Sequence, residues 1–296
     1  MALAALIDDA ERFLDAWPTT PHLFHRPPDS FRSLLTRQEV DDLIDHDCLG
    51  LRNVALLKEN RPVEPFRYAD GDTPRRGALR RHLEGGGTLS LRQLERLKPS
   101  LAVLHRELVT ETGYAVHVNA YYTPAGAHGL KYHYDPYLTL IVQLSGSKAW
   151  PTHRPFVANP VRGHLSFHQL GFTAEQRRYL EHAAPEETYT LRPGDVLWLP
   201  RGYVHSPYTV GGEPSLHLTI ALKERTWHWV AEQLTDAVLD RALRDPAMRA
   251  AVAPAEITSA PDRAVREMRA YLVGALLTLD QVAMAGLIRE AALRPE

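Results

Sequence analysis

His133, Tyr134 and Asp135 stand together in this chain, and His205 follows far downstream. In extended backbone, residues i and i+2 face the same way. An imidazole nitrogen of His133 and a carboxylate oxygen of Asp135 can therefore reach one ion. His205 ends the run L-R-P-G-D-V-L-W-L-P-R-G-Y-V-H, residues 191–205. That run reads as a strand, a tight turn at Pro193-Gly194, a second strand and a second turn. Two histidines and one carboxylate leave three corners of an octahedron open, which is the facial arrangement of non-haem iron(II) oxygenases. H-x-D alone occurs by chance in many chains, and this one has 15 histidines. The long second segment supplies the specificity.

Elements that could position such a set are legible around it. Leu3 to Trp17 reads as one amphipathic helix, followed by an irregular path through Pro18, Pro21, Pro27 and Pro28. Thr36 with Glu39, and Ser90 with Gln93, have the spacing of capping boxes. The second would open a helix through Leu91, Leu94 and Leu97, interrupted or restarted at Pro99 and extended by Leu101, Leu104, His105 and Leu108. Strands are expected at 51–58, 114–122, 138–144, 148–152, 188–191, 196–199 and 216–222, with Gly and Pro at most junctions. Many short strands with such turns suggest a sandwich or barrel. Residues 153–187 form a long connection with a helix at 174–182. After Thr226 the apolar spacing is helical. The expected organisation is an N-terminal helical and extended segment (1–113), a barrel core (114–225, with the 153–187 insertion) and a helical C-terminal region (226–296).

Residues 119–150, N-A-Y-Y-T-P-A-G-A-H-G-L-K-Y-H-Y-D-P-Y-L-T-L-I-V-Q-L-S-G-S-K-A-W, resemble the core of the JmjC-type ribosomal oxygenases of the cupin-4 group. So do residues 191–205 and the run S-L-H-L-T-I at 215–220. Phe13 to Arg26 is similar more loosely. The resemblance implies a double-stranded β-helix, a jelly roll of the cupin/JmjC type, that uses Fe(II), 2-oxoglutarate and O2 to hydroxylate a side chain. It implies His133, Asp135 and His205 as metal ligands. It also implies Lys148 as the cation that receives the far carboxylate of 2-oxoglutarate, since a buried charge needs a partner. The other reading of Lys148 is a solvent-facing hairpin lysine. Asn119 matches a residue that hydrogen-bonds the cosubstrate, and Tyr121 shares its strand face. Packing with a satisfied polar tip is the alternative for both. Ser215 and His217 either approach the cosubstrate or close the barrel.

The implied substrate is a peptide or protein side chain, including a natural-product precursor peptide, or else a small molecule such as a free amino acid. N-methyl-lysine demethylation shares the first chemical step, and a metal-binding cupin acting only as a sensor or interaction module is a reading of another class. The larger ribosomal oxygenases end in a winged helix, whereas residues 226–296 look purely helical. Their apolar faces suit packing on the barrel or a homodimer contact. His128, His153, His164 and His168 read as loop or surface residues, His117 as lacking a paired carboxylate, and Cys48 as buried and inert.

The whole chain limits the setting. Its 296 residues, 44% hydrophobic and 24% charged, suit an ordinary globular protein with a sizeable core. A single cysteine allows no internal disulfide and fits a reducing cytoplasm. Met1 to Ile7 lacks the basic leader of a signal peptide, and no apolar run reaches the roughly 18 residues of a membrane span. A net charge of -2 gives no broad nucleic-acid surface. The cluster Arg75, Arg76, Arg80 and Arg81 reads as a solvated loop.

Overall fold

The structure is a computed structural model that describes residues 1–58, 61–161 and 171–294. It divides into two compact units, Met1–Glu224 and Arg225–Glu296. The first opens with α1 (Ala2–Leu6), α2 (Ala10–Ala16), β1 (His22–His25), α3 (Arg37–Asp45), β2 (Val54–Lys58) and β3 (Arg61–Pro62). A small hairpin, β4 (Ala69–Asp70) and β5 (Thr73–Pro74), leads to α4 (Ala78–Glu84), β6 (Thr88–Leu91) and α5 (Pro99–Thr112). Then come β7 (Ala115–Thr123), β8 (Leu138–Ser145), β9 (Ser147–His153) and α6 (Ala174–His182). The unit ends with β10 (Glu187–Leu191), β11 (Asp195–Leu199), β12 (Val204–His205), β13 (Tyr208–Val210) and β14 (Ser215–Lys223).

Apart from the β4–β5 hairpin, the strands form two antiparallel sheets. The larger runs β1-β11-β8-β14-β7-β6-β2-β3. In the smaller, β9 pairs with β10 on one side and with β12 and β13 on the other. Strands that pass between facing antiparallel sheets through tight turns make a jelly roll, the form of sandwich or barrel that the family resemblance implies. Gly146 carries the chain from β8 into β9 at φ +62, and a Cβ there would meet the Pro214 carbonyl oxygen at 2.2 Å. Gly194 turns β10 into β11 at φ +93, with the Arg26 oxygen 2.3 Å from where its Cβ would be. Only glycine fits either turn.

The core lies between the large sheet and the N-terminal helices. Trp198 is fully buried, with Phe13 and Trp17 edge-on at 4.9 and 5.0 Å. Its Nε1 donates to the Pro18 carbonyl at 3.1 Å. Such packing places edge-to-face rings at their favoured separation. Trp17 Nε1 also donates to Glu224 at 2.7 Å, and Glu224 accepts the Leu138 N–H at 2.9 Å. The N-terminal segment is thereby tied to the start of β8 and the end of β14.

Some expected elements differ. The first helix is two, because Ile7 is extended and Asp9 is left-handed at φ 50. The break lets Leu3, Leu6 and Ile7 join Ala10 and Phe13 in one core. Ser90 is no cap: it lies in β6, where Leu89 and Leu91 are fully buried against β2 and β7. Sheet pairing and burial there outweigh the local capping pattern. Thr36 and Glu39 do form a capping box. So does Thr173 with Gln176 at the start of α6. Cys48, expected buried, is exposed, with its Sγ 3.7 Å from the His46 oxygen.

The second unit holds α7 (Trp227–Arg244), α8 (Pro254–Thr258), α9 (Pro261–Leu277) and α10 (Gln281–Ala292), with no strand among its described residues. Thr226 caps α7 and Asp280 caps α10. The Arg225 guanidinium holds the Ala292 and Arg294 carbonyls at the end of α10. Among the described residues, no single helix is long and apolar enough to cross a membrane.

Candidate active site

His133 and His205 are directly opposite each other in an isolated antiparallel bridge. Each exchanges a backbone bond with the other, at 3.1 and 2.8 Å. Their rings are 4.2 Å apart between centroids. Asp135 lies two residues beyond His133, and its carbonyl accepts the Gly202 N–H at 2.8 Å, which ties it to the turn before β12. One ligand atom each from His133, Asp135 and His205 lies within 4.8 Å of the other two. The i and i+2 relation expected of a strand is thus supplied by a bridge rather than by a full strand.

The imidazoles are oriented by their own backbone. His133 Nδ1 donates to the Lys131 carbonyl and His205 Nδ1 to the Tyr203 carbonyl, both at 2.9 Å. A proton held on Nδ1 leaves the Nε2 lone pair for a cation. Burial, and secondarily His133, pushes the His205 pKa well below its ordinary value, so the ring stays neutral as a ligand must. The Thr139 hydroxyl donates to Asp135 Oδ2 at 3.4 Å.

A cavity of about 130 Å³ runs from these three residues to Lys148. Lys148 is 1% exposed, on β9. Its ammonium donates to Thr123 Oγ1 at 2.9 Å, and no carboxylate pairs with it among the described residues. Burial lowers its pKa from 10.5 to about 7. The hairpin reading of Lys148 does not hold, because β9 turns this position inward.

The large sheet contributes Asn119 and Tyr121 from β7, Thr139 from β8, and His217 and Thr219 from β14. Asn119 Oδ1 accepts the Gln93 N–H at 3.1 Å, which fixes its amide against the wall. Tyr121 stacks on His217 at 5.4 Å and 11°. Trp150 meets His217 edge-on at 5.3 Å. His217 Nδ1 is buried and has no hydrogen-bond partner among the described residues. Its pKa is pushed well down by burial and then by Lys148. Ser215 does not line the cavity. It accepts from Gln143 Nε2 at 2.9 Å where β14 begins, so it helps close the barrel.

Tyr137, Thr139, Trp150 and Thr219 also line the cavity, beyond the site residues expected from the sequence. The signal was there. Tyr137 and Thr139 continue the alternation of His133 and Asp135, as Trp150 does that of Lys148 and Thr219 that of His217. Tyr137 is kept a neutral phenol by the Asp135 charge and then by burial, both of which raise its pKa.

Two histidines differ from expectation. His153, read as a loop residue, is buried on the outer face of β9, edge-on to Tyr132 and Tyr179. His117 does face a carboxylate, Glu95, at 3.8 Å, because the fold brings a distant segment beside β7. His128 is exposed in the loop after β7. His164 and His168 lie outside the described residues.

Residues 91–230 match the family model of the JmjC domain. The chain is 31% identical over 255 residues to ribosomal oxygenase 2 of Rattus norvegicus, covering 80% of this chain and 50% of that protein. It is 30% identical over 254 residues to the bifunctional lysine-specific demethylase and histidyl-hydroxylase NO66 of Dictyostelium discoideum, covering 81% and 46%. With ribosomal oxygenase 2 of Bos taurus the identity is 34% over 168 residues, covering 56% and 34%. The chain thus spans about a third to a half of these relatives' lengths. The fold is shared with E. coli YcfD, at a TM-score of 0.55 and 16% identity over 90% of this chain and 68% of that one. YcfD has also been solved with cobalt and 2-oxoglutarate (TM-score 0.52, 15% identity, 90% and 68% covered).

Proposed function

We propose that this protein, whose residues 91–230 match the family model of the JmjC domain, is an iron(II)- and 2-oxoglutarate-dependent oxygenase that hydroxylates a C–H bond of a peptide or protein side chain. One observation carries the reading. The cavity has a histidine–aspartate–histidine set at one end and, at the other, a buried ammonium that no carboxylate among the described residues pairs with. The donor set fits iron(II), because two neutral imidazoles and a carboxylate leave positions for a bidentate 2-oxo acid and O2. The ammonium fits the other end of a diacid, because an anion brought to it relieves the cost of burying the charge. A cupin that only sensed or stored metal would have no use for Lys148.

When bound, iron(II) with 2-oxoglutarate and O2 supplies oxidative decarboxylation to succinate and CO2 together with transfer of one oxygen atom to a substrate C–H. The chain's own residues hold and exclude. His133 and His205 present Nε2 because the Lys131 and Tyr203 carbonyls hold their Nδ1 protons. Thr139 steadies the Asp135 carboxylate. Lys148 takes the distal carboxylate, with Thr123 fixing its position. Tyr121, Trp150 and His217 form an aromatic wall that keeps water from the cosubstrate. Asn119, held by the Gln93 N–H, offers its amide N–H groups to the cavity.

The name of the Dictyostelium relative favours N-methyl-lysine demethylation as a second reading, since hydroxylation of an N-methyl group is chemistry the same site would perform. The two separate in one assay. Purified protein with iron(II), 2-oxoglutarate and O2 is incubated with unmodified and N-methylated peptides, and succinate and formaldehyde are measured. Peptide-stimulated succinate without formaldehyde is expected, and its loss in His133→Ala. Stimulated succinate that survives in His133→Ala contradicts the proposal.

A further inference from the structure

We propose that Gly129 is a specificity-determining residue that keeps the space beside the Lys148 ammonium open for the distal carboxylate of a five-carbon 2-oxo diacid. This rests on the oxygenase reading above and assigns a role to a residue outside the metal set. Gly129 is buried at the Lys148 end of the cavity. A Cβ on it would lie 3.7 Å from Lys148 Nζ, 3.2 Å from the Pro207 carbonyl oxygen and 3.4 Å from Pro207 Cγ. The methyl would therefore occupy the shell around the ammonium where a carboxylate oxygen must sit.

The surrounding loop cannot simply retreat. Gly129 N–H donates to the Pro207 carbonyl at 2.9 Å, so the atom a Cβ would crowd is the one that anchors the residue. Thr209 grips the same loop by its N–H to the Ala127 carbonyl at 3.1 Å and by its hydroxyl to the Pro124 and Ala127 carbonyls. The hydroxyls of Thr88 and Thr123 are 3.3 Å apart, and Thr88 also reaches the His128 carbonyl at 3.4 Å. Lys148 donates into this set at Thr123. Hydrogen bonds thus link the ammonium to the residue just before Gly129. Moving the loop to admit a methyl would disturb the seat of the carboxylate as surely as filling it.

The test compares wild type and Gly129→Ala, each loaded with manganese(II) without O2. Dissociation constants are measured for the metal, for pyruvate (a 2-oxo acid with no distal carboxylate), for oxaloacetate and for 2-oxoglutarate. One methylene of misfit in a shaped pocket changes binding by about tenfold or more. Gly129→Ala should therefore weaken 2-oxoglutarate by about tenfold, shift preference toward the shorter oxaloacetate, and leave metal and pyruvate within about twofold of wild type. Unchanged 2-oxoglutarate binding, or an equal loss for pyruvate, overturns the proposal. If Gly129→Ala cannot hold metal, the wild type carries the test. The wall at Gly129 and Pro207 predicts that 2-oxoadipate, one methylene longer, binds about tenfold more weakly than 2-oxoglutarate, and equal binding overturns it. Wild-type protein that binds manganese but no 2-oxoglutarate instead sinks the oxygenase reading itself, a result visible without any variant.

Discussion

Lys148→Met should stabilise the ligand-free protein while removing its capacity for 2-oxoglutarate. Methionine has nearly the length of lysine and no charge. The fall of the Lys148 pKa from 10.5 to about 7 is caused by burial. At about 1.4 kcal/mol per pH unit, keeping that ammonium charged in the fold costs on the order of 5 kcal/mol. The lost hydrogen bond to Thr123 offsets about 1 kcal/mol. A net gain of roughly 4 kcal/mol is expected where lysine is fully charged in both states. The folded chain holds this proton less tightly than the unfolded chain. The cost is therefore complete below about pH 7, shrinks as pH rises toward 10.5, and vanishes above that. Urea unfolding of metal-free wild type and variant at pH 6 and pH 9.5 measures it. The variant should be the more stable at pH 6, with the gap narrowing at pH 9.5. With metal and 2-oxoglutarate added, only wild type should gain stability. A variant less stable than wild type at pH 6, or a gap that widens with pH, would show that burial of the Lys148 charge is not costly.

Further outcomes follow from the same geometry. His205→Ala removes one of three donors and should weaken manganese(II) binding by at least about a hundredfold in calorimetric titration, since an open triad has no spare protein ligand. Unchanged affinity would mean that the cation sits elsewhere. Thr139→Val deletes the hydroxyl bonded to Asp135 Oδ2 and should cost about tenfold in metal affinity, the low end for a residue supporting a ligand. No change would reduce Thr139 to packing. Glu224 is held above its ordinary pKa of 4.5 by burial despite Trp17, Arg201 and Leu138. Its folded form keeps the proton more tightly, so it lowers stability as pH rises from 4.5 through the raised value. Glu224→Gln should flatten that decline in thermal melts between pH 4 and 8, and an unchanged slope would contradict the assignment.

Much of the site was legible because its signals are local. His133 and Asp135 are two residues apart, and His205 closes a run whose turn needs Gly194. The strand alternation that places Lys148 inward also places Trp150, and Tyr137 and Thr139 keep the two-residue spacing of His133 and Asp135. What the sequence hid depends on distant pairing. Ser90 and Gln93 satisfy a helix-start pattern, yet β6 forms there because β2 and β7 bury Leu89 and Leu91. Gln93 instead turns left-handed and gives its N–H to Asn119. Glu95 reaches His117 only once the chain has folded back. Gly129 carries no local signal at all, because its importance lies in Pro207 and Lys148 brought beside it.

His133, Asp135 and His205 are expected to share one cation. Anomalous diffraction from a crystal soaked in manganese(II) tests it most directly. A single strong peak is predicted at about 2.0–2.3 Å from His133 Nε2, His205 Nε2 and an Asp135 carboxylate oxygen, in the range usual for such ligands. A peak that touches one of the three alone, or lies outside the barrel, would contradict it.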